Sequence, residues 1–334
     1  MVYKNKQIVF SSYADGLPSV DNFSSATTEL QSCDEGKVIV KNHYISVDPA
    51  QKGWMSSAIN YASATLGEAM RALAVGEIVE SKVEGYPVGA FVTGWFGWQE
   101  YAHVDREKIL SKVNPDLVPI KYHISILGLN GLTAYIALND VLAPKFGDTV
   151  LVSTAAGGVG SITGQLAKQI GCKVVGLTGS AEKVALCLED YGYDIAINYK
   201  DNDWLDQLEN ACPQGIDRYF DMAGGWISDA LIYLLNQGAV HAQVGTAAVA
   251  SWDPIPTAPR RERFILVKEL TQKGFVIFNH SERFDAASGH LVSMINEGSL
   301  KFREHIYRDL AEAPEALVSL YQGTNKGKAL IQLV

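Results

Sequence analysis

The 334-residue chain is 47% apolar and 19% charged, enough to bury a large core and to form two domains rather than one. Its net charge of −9 with no basic stripe argues against a nucleic acid or an anionic membrane surface as partner. No apolar run reaches membrane-spanning length, and the opening MVYKNKQIVF lacks a signal-peptide core, so a soluble cytoplasmic protein is expected.

From residue 6 to about 105 the pattern is β. Residues 37–47 (KVIVKNHYISV) alternate and are rich in β-branched side chains, and short strands are expected at 74–80, 90–94 and 99–104 between Gly and Pro signals. A helical period shows only near Glu29. This stretch reads as a compact, mostly β domain of barrel type.

The character changes near Ser125. Residues 124–139 (ISILGLNGLTAYIALN) are helical, and strand and helix then alternate. Strands are expected at 150–153, 173–178, 195–198, 217–221, 239–245 and 275–278. Helical stretches lie near 159–170, 181–190, 203–211, 227–236 and 260–272. That rhythm demands a parallel sheet covered on both faces, and six such strands are what the doubly wound (Rossmann) dinucleotide fold uses. After a helix at 284–297, residues 299–306, 314–321 and 329–334 read as β-α-β returning to the first domain. The expected division is 1–125, 126–298 and a C-terminal segment, 299–334.

The chain is organised around TVLVSTAAGGVGSITGQLAK, residues 149–168. A β-rich run breaks into a loop of small residues, which opens a helical pattern with Val159, Ile162, Leu166 and Ile170 on one face. Strand, tight turn and helix start make a pyrophosphate-binding corner. The fingerprint reads Ala155-x-Gly157-x-x-Gly160, with Ala where the first Gly is usual. By itself such a spacing also fits any glycine-rich turn.

An NAD-binding second strand usually ends in an acid on the ribose 2′-hydroxyl. Here it ends in Thr178-Gly179-Ser180, with Lys183 just beyond, a set suited to a 2′-phosphate and hence to NADPH. Lys183 also reads as an ordinary solvated helix lysine. Tyr199, past the third strand, reads equally as a cover for that phosphate and as an aromatic at the sheet edge.

Zinc chemistry needs clustered Cys and His, yet no H-x-x-x-H pair occurs among the seven histidines. Cys33, Cys172, Cys187 and Cys212 show no paired spacing and read as reduced thiols. No metal site and no G-x-S-x-G nucleophile is expected, which leaves a hydride-carrying cofactor and a protein that positions it.

Six ordered motifs carry a resemblance over almost the whole chain: SVDPAQKGWM (46–55), GLTAYIAL (131–138), STAAGGVGSITGQLAK (153–168), YFDMAGG (219–225), GFVIF (274–278) and GTNKGK (323–328). The chain resembles the zinc-free medium-chain dehydrogenase/reductases, and within them the prostaglandin reductase, curcumin reductase and alkenal double-bond reductase group. Gly67 is followed directly by Glu68, so the Gly-His-Glu ligand of the zinc branch is missing. The resemblance implies a GroES-like barrel beside the Rossmann domain, a homodimer paired through an edge strand near 273–278, and NADPH-dependent reduction of the C=C bond of a small hydrophobic enone or enal. It implies Gly157, Gly158, Val159 and Gly160 at the pyrophosphate, and Thr178, Gly179, Ser180, Lys183 and Tyr199 at the adenosine phosphate. Thr133 and Asn325 fall toward the nicotinamide, although Thr133 also reads as a helix cap and Asn325 as a turn former, and Gly245 is a further expected cofactor-binding residue.

Departures from the family pattern matter as much. Where relatives carry Asp-Pro-Tyr the chain has Asp48-Pro49-Ala50, and Ala250 falls where many place a second Tyr. The remaining candidate donor is Tyr61, which reads equally as a wall aromatic. A neutral tyrosine hydroxyl can donate to a developing enolate oxygen, its ordinary pKa being about 10. Small residues at Ala50, Ala247, Ala248 and Ala250 widen the expected pocket, with Trp54, Trp252 and Phe278 as candidate apolar walls. A quinone or carbonyl reductase, or an NADPH-binding protein that has lost its catalytic donors, are the alternatives.

Overall fold

The computed structural model describes residues 1–56 and 62–334; Tyr61 lies outside the described residues. The chain divides into two compact units, one of Met1–Gly128, Ser251–Asp253 and Glu304–Val334, the other of Leu129–Ala250 and Pro254–Arg303.

The first unit begins with β1 (Tyr3–Phe10) and β2 (Phe23–Leu30), paired antiparallel along all eight residues. The helical turn expected near Glu29 is therefore strand. Ser and Thr dominate β2, and such residues gain little in a helix while the β1 ladder satisfies their backbone. There follow β3 (Lys37–Val47), α1 (Ala50–Trp54), β4 (Ala74–Ser81), β5 (Phe91–Gly94), β6 (Tyr101–Asp105) and β7 (Ile109–Val113). β3 is central, pairing antiparallel with both β4 and β6. Two register shifts against β4 bend it, as a sheet that curls over its own core requires. That core holds Phe10, Val38, Val40, Ile45, Met55, Met70, Ile78, Val92 and Trp98.

The second unit opens with α2 (Leu129–Ile136), which runs into a π-helical turn, Ala137–Leu142, ended by Ala143 at φ +43°. Then come β8 (Thr149–Val152), α3 (Gly160–Ile170), β9 (Lys173–Thr178), α4 (Ala181–Glu189), β10 (Ile195–Asn198), α5 (Trp204–Ala211), β11 (Ile216–Asp221), α6 (Gly225–Leu231), β12 (Leu235–Gln243), α7 (Glu262–Val267), β13 (Thr271–Gly274) and α8 (Phe284–Asn296). The six strands are all parallel, in the order β10-β9-β8-β11-β12-β13. The order reverses between β8 and β11, the switch point where open α/β sheets hold ligands. All four residues of β8 are buried, as a central parallel strand with both faces covered demands.

The sixth strand lies four residues earlier than the apolar run suggests. The helix expected through 272 stops at Val267, where Glu269 at φ +49° turns the chain and the Leu270 N–H closes onto the Ile265 carbonyl at 3.0 Å. The strand that follows, TQKG, is exposed at every residue and gives no apolar signal. Phe275 and Ile277 are buried beyond it, and Ile277–Arg283 forms a 3-10 helix. The expected edge segment 273–278 is thus strand only at Lys273 and Gly274.

The chain then returns to the first unit as β14 (Glu304–Tyr307), α9 (Ala313–Gln322) and β15 (Lys328–Gln332). β15 pairs parallel with β14 and antiparallel with β3, extending the first sheet.

Candidate functional site

The switch point of the second sheet is built from backbone. Gly157, Gly158 and Val159 are partly exposed and Gly160 is buried at the start of α3. Val159, at the N-cap, gives no side-chain cap. Gly157, Ser161 and Ile162 already donate their N–H groups to the Thr154, Gly157 and Val159 carbonyls, so those of Gly158, Val159 and Gly160 are the ones that can face an outside anion. The loop is tight. A Cβ on Gly160 would lie 2.5 Å from the Thr154 carbonyl oxygen, and one on Gly157 3.1 Å from it. Thr154 itself holds φ +50°, a conformation a β-branched residue adopts only under constraint. Ala155 takes the place of the usual first glycine because Gly176 on β9 faces it: a Cβ there would stand 2.8 Å from the Ala155 methyl. Gly164 leaves room for the Tyr193 ring, whose hydroxyl donates to the Gly160 carbonyl at 2.7 Å. The corner thus offers bare backbone to a pyrophosphate, and its residues fit one.

At the tip of β9, Thr178 is buried and its carbonyl accepts the Tyr199 N–H at 2.9 Å. Ser180 caps α4 by accepting the Lys183 N–H at 3.3 Å, so its oxygen already has one donor. The Tyr199 hydroxyl stands against Gly179, 2.7 Å from where a Cβ would be. Lys183 is partly buried, and its pKa is held below the ordinary lysine value first by that burial and then by the like charge of Lys200; Glu182 acts the other way. A dianionic phosphate between the two ammonium groups would offset both penalties. Sequence reasoning missed Lys200, although its place directly after Tyr199 was a usable signal.

Behind the loop after β11 lies a buried carboxylate. Asp221 accepts from the N–H groups of Ala223 (2.9 Å) and Gly224 (2.8 Å), from Ser153 Oγ (3.2 Å) and from Ser228 Oγ, and it faces His241 Nε2 at 3.0 Å. Ser153 Oγ in turn accepts the Met222 N–H at 2.8 Å. Burial pushes the Asp221 carboxyl up, but His241, Gly224 and Ser228 together hold it below the usual carboxylate range. The network fixes Met222–Gly224 against the loop after β12, where Ala247 and Ala248 donate backbone N–H groups to Met222 and Ala223. Gly245 is required there, since a Cβ would come 2.9 Å from the Met222 carbonyl oxygen. Thr133 is partly buried within α2 rather than at its first residue.

In the first unit the turn from β3 into α1 is held by the C-terminal segment. Lys328 is 6% exposed and donates to the Val47 carbonyl at 2.7 Å and to Asp48, which also accepts from Ser46 Oγ. Burial lowers the Lys328 pKa while Asp48 raises it, with the net below the ordinary value. The Tyr321 hydroxyl donates to the Pro49 carbonyl at 2.6 Å. Asn325 uses its amide to donate to the Gly327 carbonyl at 2.9 Å, the local bond of a turn former. Of the candidate walls, Trp54 is core at 1% exposure, whereas Trp252 (45%) and Phe278 (36%) are exposed. Among the described residues no three His, Cys, Asp or Glu side chains gather as metal ligands, and no helix is long and apolar enough to cross a membrane.

Comparison with known proteins agrees with the fold. Residues 6–113 match the family described as the N-terminal domain of oxidoreductase, and residues 158–293 the family described as zinc-binding dehydrogenase. The chain is 37% identical to prostaglandin reductase 1 of Bos taurus, over 95% of each protein. It is 32% identical to the NADP(+)-dependent 2-alkenal reductase of Nicotiana tabacum, over 98% of this chain and 97% of the relative. The crystal structure of CurA from Vibrio vulnificus in complex with NADPH superposes with a TM-score of 0.93 at 33% identity, covering 98% of this chain and 99% of that one.

Proposed function

We propose that this chain, which belongs to the NADP-dependent medium-chain dehydrogenase/reductases, reduces the carbon–carbon double bond of α,β-unsaturated ketones and aldehydes. It is an NADP-dependent oxidoreductase, and its cofactor is NADPH. The observation that carries the finer reading is full-length similarity to reductases named for alkenal and prostaglandin substrates.

When bound, NADPH supplies a hydride, here to the β-carbon of the enone. The chain's own residues bind and orient. In this reading Gly157, Gly158, Val159 and Gly160 hold the pyrophosphate, the last three through their N–H groups while the Gly157 N–H closes the turn onto the Thr154 carbonyl at 2.9 Å. Lys183 with Tyr199 and the Thr178–Ser180 tip holds the 2′-phosphate. Asp221 keeps the loop after β11 in one conformation, so that the nucleotide meets a prearranged surface. The Asp48–Lys328 pair keeps the start of α1, and with it Ala50, in register. Charge accumulates on the substrate carbonyl oxygen as hydride arrives, and a donor there lowers the barrier. Tyr61 is the proposed donor, its hydroxyl passing a proton without prior ionisation.

The expected homodimer forms through the exposed edge of β13, since an unpaired edge strand is a template for pairing. The four free, buried cysteines suit the reducing cytoplasm proposed as its location.

The test is product analysis. The pure protein with NADPH and a series of enones and enals is expected to yield the saturated carbonyl compound. Allylic alcohols as the sole products would instead make it a carbonyl reductase, and turnover only of a quinone supplied in parallel, to the hydroquinone, would make it a quinone reductase. Tight NADPH binding without turnover across the series would make it a binding protein.

A further inference from the structure

The sheet end that carries Lys183 and Tyr199 also carries a large aromatic side chain that the fold leaves half in water. Trp226, the second residue of α6, is 51% exposed, whereas Ile227 beside it is 3% exposed and part of the core. Its ring is fixed. It packs steeply against Tyr199, with centroids 6.0 Å apart at 72°, and against Trp204, 5.9 Å apart at 84°. Trp204 opens α5 and is buried, so it anchors the row.

The backbone is shaped to deliver this side chain. Gly224 and Gly225 hold φ +61° and +57°, and a Cβ on Gly225 would press to 3.2 Å of the Val249 side chain. At the other end of the row the Tyr199 hydroxyl occupies the space beside Gly179. The result is a continuous aromatic row, Trp204, Trp226 and Tyr199, leading into the turn that carries Lys183, with Lys200 next in sequence after Tyr199.

A half-exposed aromatic ring packed on Tyr199, whose hydroxyl reaches the strand tip that precedes Lys183, matches a ligand that is part flat heterocycle and part anion. We propose that Trp226 is the stacking wall for the adenine ring of NADPH, taking the purine on its exposed part while Lys183 and Lys200 take the adjoining phosphate. The inference rests on NADPH being the cofactor and is independent of which acceptor receives the hydride.

The test uses the two halves of the cofactor as separate probes. Adenosine 2′,5′-bisphosphate carries the purine and the 2′-phosphate; reduced nicotinamide mononucleotide carries neither. Trp226→Ala is expected to weaken the bisphosphate roughly tenfold and to leave the mononucleotide unchanged. Trp226→Tyr, which keeps a π-face, should restore most of the binding while losing most of the tryptophan fluorescence quench the bisphosphate causes. Bisphosphate binding unchanged in Trp226→Ala but lost in Lys183→Ala would overturn the stacking role and leave the phosphate seat standing. Equal weakening of both probes would make Trp226 a structural residue and also overturn it. A wild-type protein that ignores the bisphosphate would remove the phosphate seat and the wall together.

Discussion

Lys183→Ala offers a direct reading of the adenosine phosphate seat. In the wild-type protein the ammonium group is partly desolvated and repelled by Lys200, so it gains more from an arriving phosphate than a solvated lysine would. A charge-assisted hydrogen bond contributes about 1.5–3 kcal/mol, which corresponds to roughly 10–150-fold in affinity. Lys200 remains in the variant and keeps part of the attraction, which places the expected loss for NADPH near the lower end, on the order of tenfold. NADH lacks the phosphate and should lose about twofold or less. The assay is a fluorescence titration of each dinucleotide at fixed ionic strength, since added salt screens the contact. Lys183→Ala/Lys200→Ala should reduce the preference further. The pH dependence has a definite sign. Lys183 titrates below the ordinary lysine value of 10.5, so the preference for NADPH should fall as pH rises through that lowered value, with NADH unaffected. Equal losses for both dinucleotides in Lys183→Ala would refute the assignment.

Other residues give separate tests. Lys328→Met leaves Asp48 buried without its cation and should cost about 3–5 kcal/mol in urea unfolding; the double variant with Asp48→Asn should recover part of that loss, and simple additivity would disprove the coupling. Asp221→Asn should cost about 3 kcal/mol and flatten the acid limb of stability. The Asp221 carboxyl titrates below its unfolded value of 3.8, so its contribution is present above that value and is lost as pH falls through the lowered one; an unchanged acid limb in the variant would contradict this. Tyr61→Phe should slow turnover with little change in NADPH affinity, and unchanged turnover would make Tyr61 a wall residue.

How much of this was legible in the sequence depends on the range of the interaction. β3 and β9 were readable to the residue because an alternating or continuous apolar run coincides with a strand. β13 was not, because its four residues are all exposed and the neighbouring apolar residues belong to a buried turn. β2 was misread because its Ser- and Thr-rich run carries little periodicity until β1 pairs with it. The phosphate loop was legible as a motif, whereas the reason Ala155 is tolerated is the facing Gly176, a tertiary contact. The Asp48–Lys328 pair joins residues 280 positions apart, and the Asp221–His241 pair crosses from one strand to its neighbour. Spacing alone gives no hint of either.

The central claim is that hydride reaches a carbon of the double bond and not the carbonyl carbon. The protein should be given NADPH deuterated at the transferable position together with an α,β-unsaturated ketone, and the product examined by NMR. Deuterium at the β-carbon of a saturated ketone is the predicted result; deuterium at a carbinol carbon, with the double bond intact, would contradict it.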